Sequence, residues 1–175
     1  MQLTGKQIVN QGIITNYCEE GVQQQGIDVR LKNVWKLSDE GVGIVPAKGK
    51  TITPTKWCII PAQQKDGNGG HIETYMLEPG YYEVEFYEAC KMPNNAALNY
   101  KTRSSLVRCG AIVHSGQFDA GFETDSMGAF LHVIKPIHID KGARIAQAIV
   151  NESYPVDDDN MYNGQWQNDN QRGRE

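Results

Sequence analysis

The 175 residues contain no run of about 18 apolar side chains, which excludes a membrane-spanning helix. Residues 1–11 mix polar and apolar residues and lack the basic-then-apolar layout of a signal peptide, so a cytoplasmic protein is expected. There is no Lys/Arg block, and net charge is −4. A long nucleic acid is therefore an unsuitable partner, because neutralising many phosphates needs a basic surface. A single nucleotide needs only a few placed cations and stays open. The acidity is local: residues 157–175 carry five acids against two arginines, which leaves the body near neutral. Cys18, Cys58, Cys90 and Cys109 form no C-x-x-C pair, so neither a tight metal site nor a disulfide scaffold is indicated. Reduced, mostly buried thiols are expected. No internal repeat occurs.

What is present reads as one β-rich domain over 1–155 and a polar, flexible tail over 156–175. A short helix is predicted over 4–10, with Thr4 as N-cap and Ile8 and Val9 inward, stopping near Gly12. The period then changes to two. Ile27-Asp28-Val29-Arg30-Leu31 and Tyr82-Glu83-Val84-Glu85-Phe86 alternate apolar with charged, as half-buried strands do. Further short β-rich runs lie at 57–60, 111–114, 129–134 and 145–150. Pro46, the glycine-rich loop at 66–70, Pro79-Gly80, Pro93-Asn94-Asn95 and Lys141-Gly142 punctuate them. Many short strands at this spacing mean a sandwich, jelly roll or barrel. The tail, rich in Asn, Asp, Gln and Gly around Tyr162 and Trp166, is too polar to order itself.

Three segments could carry chemistry. In Arg103-Ser104-Ser105-Leu106-Val107-Arg108, guanidinium forks and hydroxyls can converge on phosphate oxygens; a solvated turn is the plainer reading. In Phe118-Asp119-Ala120-Gly121-Phe122, an acid between aromatics can be a general base, or simply initiate a turn. Lys141-Gly142-Ala143-Arg144-Ile145-Ala146-Gln147 reads as a turn entering a strand. His71-Ile72-Glu73 matches half of a zinc deaminase signature, but the P-C-x-x-C half is absent. His114, His132 and His138 fall on predicted strands, where a structural role is the commoner one.

Order changes the weight of these segments. Gly26-Ile27-Asp28, Leu77-Glu78-Pro79-Gly80, the Arg-Ser-Ser-Leu run, Asp-x-Gly-Phe and Gly-x-Arg-Ile-Ala-Gln follow one another as in the dUTPase and dCTP deaminase superfamily, which the chain resembles over nearly its whole length. Residues 3–14 look like a deaminase-type N-terminal helix. Tyr162-Asn163-Gly164-Gln165-Trp166-Gln167 is similar to the aromatic-Gln tail of deaminase-type members. The resemblance implies an all-β fold, a distorted jelly roll or β-barrel of the dUTPase type with a short N-terminal helix. It also implies a homotrimer with pockets between subunits.

The same resemblance implies that Arg103, Ser104 and Ser105 hold a triphosphate, with Arg108 at a deaminase-type position and Gln147 reaching in from a neighbouring subunit. Asp28 takes the place of the first-motif acid, and Asp119 that of the water-orienting acid. Phe122 would lie against sugar or base, Trp166 and Arg172 would close over the nucleotide, and Mg²⁺ would ride mainly on the phosphates. Zinc-free deaminases need a glutamate on the strand after the third motif. Here that position holds His132 or Val133, and no acid occurs between Ser126 and Ile139. The expectation is therefore a dUTP diphosphatase. The alternatives are a dCTP deaminase, bifunctional or not, with Glu123 or Asp125 as a stand-in acid, and a catalytically silent nucleotide-binding member.

Overall fold

The computed structural model describes residues 1–65 and 68–167. Asp66 and Gly67 of the glycine-rich loop lie outside the described residues, as do 168–175 and hence Arg172.

The chain begins with α1 (Gly5–Asn10), closed by a capping box in which Thr4 and Gln7 exchange bonds between side chain and backbone. Ile8 is fully buried and Val9 packs on the core in part. Gly12, at φ +67°, ends the helix as the spacing predicts. Then come β1 (Ile14–Thr15), β2 (Val22–Gln23), β3 (Gly26–Leu37), β4 (Lys56–Cys58), β5 (Ala62–Lys65), β6 (His71–Leu77) and β7 (Gly80–Phe86). After β8 (Ala89–Lys91) and β9 (Ala96–Thr102), a single helical turn, α2 (Ser104–Arg108), interrupts the strands. The chain continues through β10 (Ala111–His114), β11 (Glu123–Thr124), β12 (Gly128–Val133), β13 (Ile137–Asp140) and β14 (Arg144–Glu152).

The fold is all-β, as expected. One sheet runs β10-β12-β7-β3-β14-β9, with β2 and β4 also paired to β3; β13-β6-β5 and β1-β8-β11 are smaller sheets. The edges of the main sheet meet. Thr102 Oγ1 accepts from Val113 N at 3.0 Å and donates to Val113 O at 3.1 Å, and Tyr100 N donates to Ser115 Oγ at 3.2 Å. Side chains thus satisfy edge groups that would otherwise stay open, and the sheet closes toward a barrel. Phe86 and Tyr100 meet edge to face inside it, with centroids 5.3 Å apart.

Two expectations need correction. The segment 27–31 is not half-buried: Asp28 is only 2% exposed and the apolar residues around it are fully buried. The reason is position, since β3 is central, flanked by β7 and β14, with α1 packed against it. The thiols are free but not mostly buried; only Cys90 is buried, Cys18 and Cys58 are half-buried and Cys109 is exposed. Burial pushes the Cys90 thiol up to about 12, so it stays protonated. Among the described residues, no helix is long and apolar enough to cross a membrane.

Candidate functional site

The residues singled out in the sequence gather in two places on one chain. The first is a buried acid ringed by cations. Asp28 on β3 lies opposite Gln147 on β14, whose amide donates to Oδ1 at 3.4 Å. Arg103 Nε stands 3.2 Å and Arg144 Nη1 3.7 Å from Oδ2. A register irregularity explains the set. Arg144 pairs with Arg30 and Ala146 with Val29, so Ile145 is the extra residue. In a regular strand, residues 144 and 147 point to opposite faces; the bulge brings both to Asp28. Burial pushes the Asp28 carboxyl up, while Arg103, Arg144 and the Gln147 amide pull it down; the net displacement is upward. Arg103 also donates to Arg144 O at 3.1 Å, which fixes the guanidinium beside α2.

α2 follows immediately, with Arg103 as its N-cap and Leu106 buried beneath it. Ser104, Ser105 and Arg108 are exposed on this turn, which is helical rather than a plain solvated loop. Arg144 was quoted in the Gly-x-Arg-Ile-Ala-Gln segment but given no role. Its signal is visible only once the bulge is known. Gln147, expected to reach in from a neighbouring subunit, also joins Asp28, and through it Arg103, within its own chain. The strand pairing dictates this, because Gln147 sits between Asp28 and Lys101 in the β3-β14-β9 ladder.

The second place is a cavity of about 400 Å³, whose walls include Glu83, His114, Phe118, Phe122, Tyr162 and Trp166. Phe122 is 7% exposed, stacked on Phe118 at 4.9 Å and met edge-on by Tyr162 at 5.4 Å. Asp119 is exposed at the turn before it and accepts from Gln117 Nε2 at 2.8 Å. The 156–167 part of the tail lies against the body and bonds to it. Tyr162 N donates to Ala120 O at 2.7 Å. Gln165 bonds the backbone of Thr51 both ways, at 2.9 and 2.8 Å.

The acidic turn after Phe122 forms part of the cavity wall through Thr124 and Ser126. Glu123 and Thr124 form β11 against β8, Lys91 pairs with Glu123 at 3.2 Å, and Met127 is fully buried. Neither Glu123 nor Asp125 lines the cavity. Glu83 does, paired with Lys56 at 2.6 Å and standing opposite Phe130 on β12. It was missed because it looks like one more outward charge in an alternating strand. His132 stacks on Tyr81 at 4.4 Å, and Glu73 of the His-x-Glu segment pairs with Lys141 at 2.8 Å.

Within one chain the Asp119 turn and Arg103 sit toward opposite ends of β9. Phe118 bridges to Leu98 near the start of β9, and Arg103 follows its end. Leu98 and Arg103 are five steps apart along the strand, which corresponds to about 16 Å.

The comparisons agree with this architecture. Residues 2–153 match the family described as dCTP deaminase-like. A deoxyuridine 5'-triphosphate nucleotidohydrolase of Methanocaldococcus jannaschii is 34% identical over 81% of this chain and 85% of its own. A probable enzyme of the same name from Methanococcoides burtonii is 33% identical over 93% of this chain and 92% of its own. The crystal structure of 2'-deoxycytidine 5'-triphosphate deaminase from Agrobacterium tumefaciens shares the fold at a TM-score of 0.60 and 15% identity, over 87% of this chain and 48% of that one. By its family match and its relatives, the chain belongs to the dCTP deaminase-like family, within the dUTPase and dCTP deaminase superfamily.

Proposed function

We propose that the protein is a dUTP diphosphatase that releases dUMP and diphosphate from sites shared between the subunits of a homotrimer. The observation that carries the reading is the split just described. A set of cations and hydroxyls, fit for phosphate, ends one side of β9; an acid beside an aromatic cavity ends the other. Closed rotational symmetry would bring the first set of one subunit to the second set of its neighbour. The names of the relatives give the substrate.

In this reading Arg103, Ser104 and Ser105 hold the triphosphate, and Asp28 keeps Arg103 and Arg144 in place before it arrives. Arg108 adds charge from the exposed end of α2. Asp119 takes a proton from a water whose oxygen attacks the α-phosphorus; the bond from that phosphorus to the α,β-bridging oxygen breaks, and diphosphate leaves. Phe122, Tyr162 and Trp166 cover sugar and base, with the tail acting as a lid that Arg172 would help close. Asp28 is engaged by two arginines and one Asp119 oxygen by Gln117, so the donor set fits a Mg²⁺ ion held chiefly by the phosphates. When bound, that ion would offset charge on the leaving group.

One observation favours a second reaction, dCTP deamination: an acid, Glu83, is among the residues lining the cavity. Incubation with dUTP and with dCTP, measuring diphosphate and ammonia separately, decides between them. Diphosphate from dUTP without ammonia from dCTP is expected. Ammonia from dCTP that disappears in Glu83→Gln would establish the second reaction instead.

A further inference from the structure

The tail does more than cover the cavity: it completes the backbone of the turn that presents Asp119. That turn is closed by Phe122 N donating to Asp119 O at 3.0 Å, with Gly121 at φ +84°. On one side the body holds it, through Gly121 N to Met92 O at 3.2 Å and Met92 N to Phe122 O at 2.8 Å. On the other side, among the described residues, no strand pairs with it. Three of its polar groups face the tail instead. Ala120 O accepts from Tyr162 N, Gly121 O accepts from Gln167 Nε2 at 3.0 Å, and Glu123 N donates to Gln167 Oε1 at 3.2 Å. A single carboxamide thus supplies the donor and the acceptor that a paired strand would have supplied.

The approach is close. A Cβ on Gly121 would lie 2.9 Å from Met161 Cβ and 3.2 Å from Tyr162 N, so the turn and the tail are shaped to each other. The spacing along the tail matters too. Gln165 is spent on Thr51 and Gln167 on the Asp119 turn, while Trp166 between them lines the cavity. Trp166 N donates to Tyr162 Oη at 3.1 Å, which holds the strap in one conformation. Two amides therefore fasten the strap to two separate parts of the body, and the aromatic between them is set over the pocket.

We propose that Gln167 is a positioning residue for the reaction: by pairing with the backbone of Gly121 and Glu123 it sets the turn that aims Asp119, and so links the seating of Trp166 to the aim of the water-orienting acid. The proposal rests on Asp119 having the role given above. It differs from a lid in the ordinary sense, because Gln167 acts on the protein and touches no nucleotide. Its loss should lower turnover and leave affinity alone.

The test is Gln167→Ala in the full-length chain, with two readouts. Hydrogen exchange of the 119–123 backbone should accelerate at least about tenfold, while β7 is unchanged, because the amide of Glu123 loses its acceptor. Steady-state kinetics with dUTP and Mg²⁺ should show kcat lower by about tenfold and KM within about twofold of the parent, the pattern of a displaced catalytic group. Unchanged exchange overturns the clamp. A raised KM with kcat retained also overturns it, since Gln167 would then be a nucleotide contact. Asp119→Asn is run alongside. If that variant keeps full turnover, the role of Asp119 fails and the kinetic half of the proposal with it, whereas the exchange result still decides whether Gln167 holds the turn.

Discussion

The two halves of the candidate site are made in different ways. The Asp28 half is built on β3, β14 and the edge strand β9, whose ladders fix Arg103, Arg144 and Gln147 before any ligand arrives. The Asp119 half is built on a turn, held on one side by Met92 and on the other by a polar tail. On the proposed reading, the contrast teaches that one protein can place the cations meant for phosphate as a by-product of folding while leaving the acid meant for water dependent on a separable contact. Local stability should follow the same division, high in the central strands and low in the strap.

The largest expected effect strikes the second half. Asp119→Asn keeps nearly the same shape, so dUTP binding should persist while turnover falls at least about a hundredfold, as loss of a general base does. Rates close to the parent would remove Asp119 from the mechanism. Next comes deletion of the chain after Val156. The truncated protein should fold with its barrel intact, since the core strands end at Glu152, yet lose turnover about tenfold or more. Circular dichroism and a dUTP assay separate those outcomes, and full activity would make the tail dispensable.

A third comparison sets folding against binding in the first half. Arg103→Ala strips Asp28 of its nearest cation and should cost about 2 kcal/mol of stability, together with nucleotide affinity. Adding Asp28→Asn removes the orphaned charge, so urea midpoints should recover in part and affinity should not. Recovery of both would mean that Arg103 touches only Asp28.

The smallest effect is in pH. Burial raises Asp28, so the native state binds more protons than the unfolded chain just above the ordinary carboxylate value. Stability contributed by this group therefore falls as pH rises through that window. Glu85 behaves oppositely. Burial would raise it, but hydrogen bonds from Asn33, Ser126 and Lys32 bring it below its ordinary value. Its contribution is present above the unfolded value of 4.5 and is lost as pH falls through the lower folded value. Urea midpoints across pH 3 to 6 should lose a falling slope in Asp28→Asn and a rising slope in Glu85→Gln. The same change of slope in both would contradict the assignment.

Local signals carried much of this into the sequence. The N-cap at Thr4, the turn residues between short alternating runs, and the Arg-Ser-Ser and Asp-x-Gly-Phe segments are all short-range features. The failures are long-range. Nothing local distinguishes Glu83 from any outward charge, because its wall is made by Phe130 on β12, five strands further along the chain. The bulge that turns Arg144 toward Asp28 shows only in the register of β3 and β14. The tail reads as unable to order itself, which is true of the segment alone; its bonds to the body go to Ala120, Gly121, Glu123 and Thr51, backbone groups far up the chain.

The central claim, that the two halves meet only across a subunit boundary, can be tested by mixing two inactive variants. Arg103→Ala spoils the first half and leaves Asp119 intact; Asp119→Asn spoils the second and leaves Arg103 intact. Unfolded together in equal amounts and refolded, they should regain about a quarter of parental dUTP turnover, because random assembly pairs an intact half from each variant in that share of intersubunit sites. No activity above that of the separately refolded variants would contradict the shared site and put the whole of the chemistry within one chain.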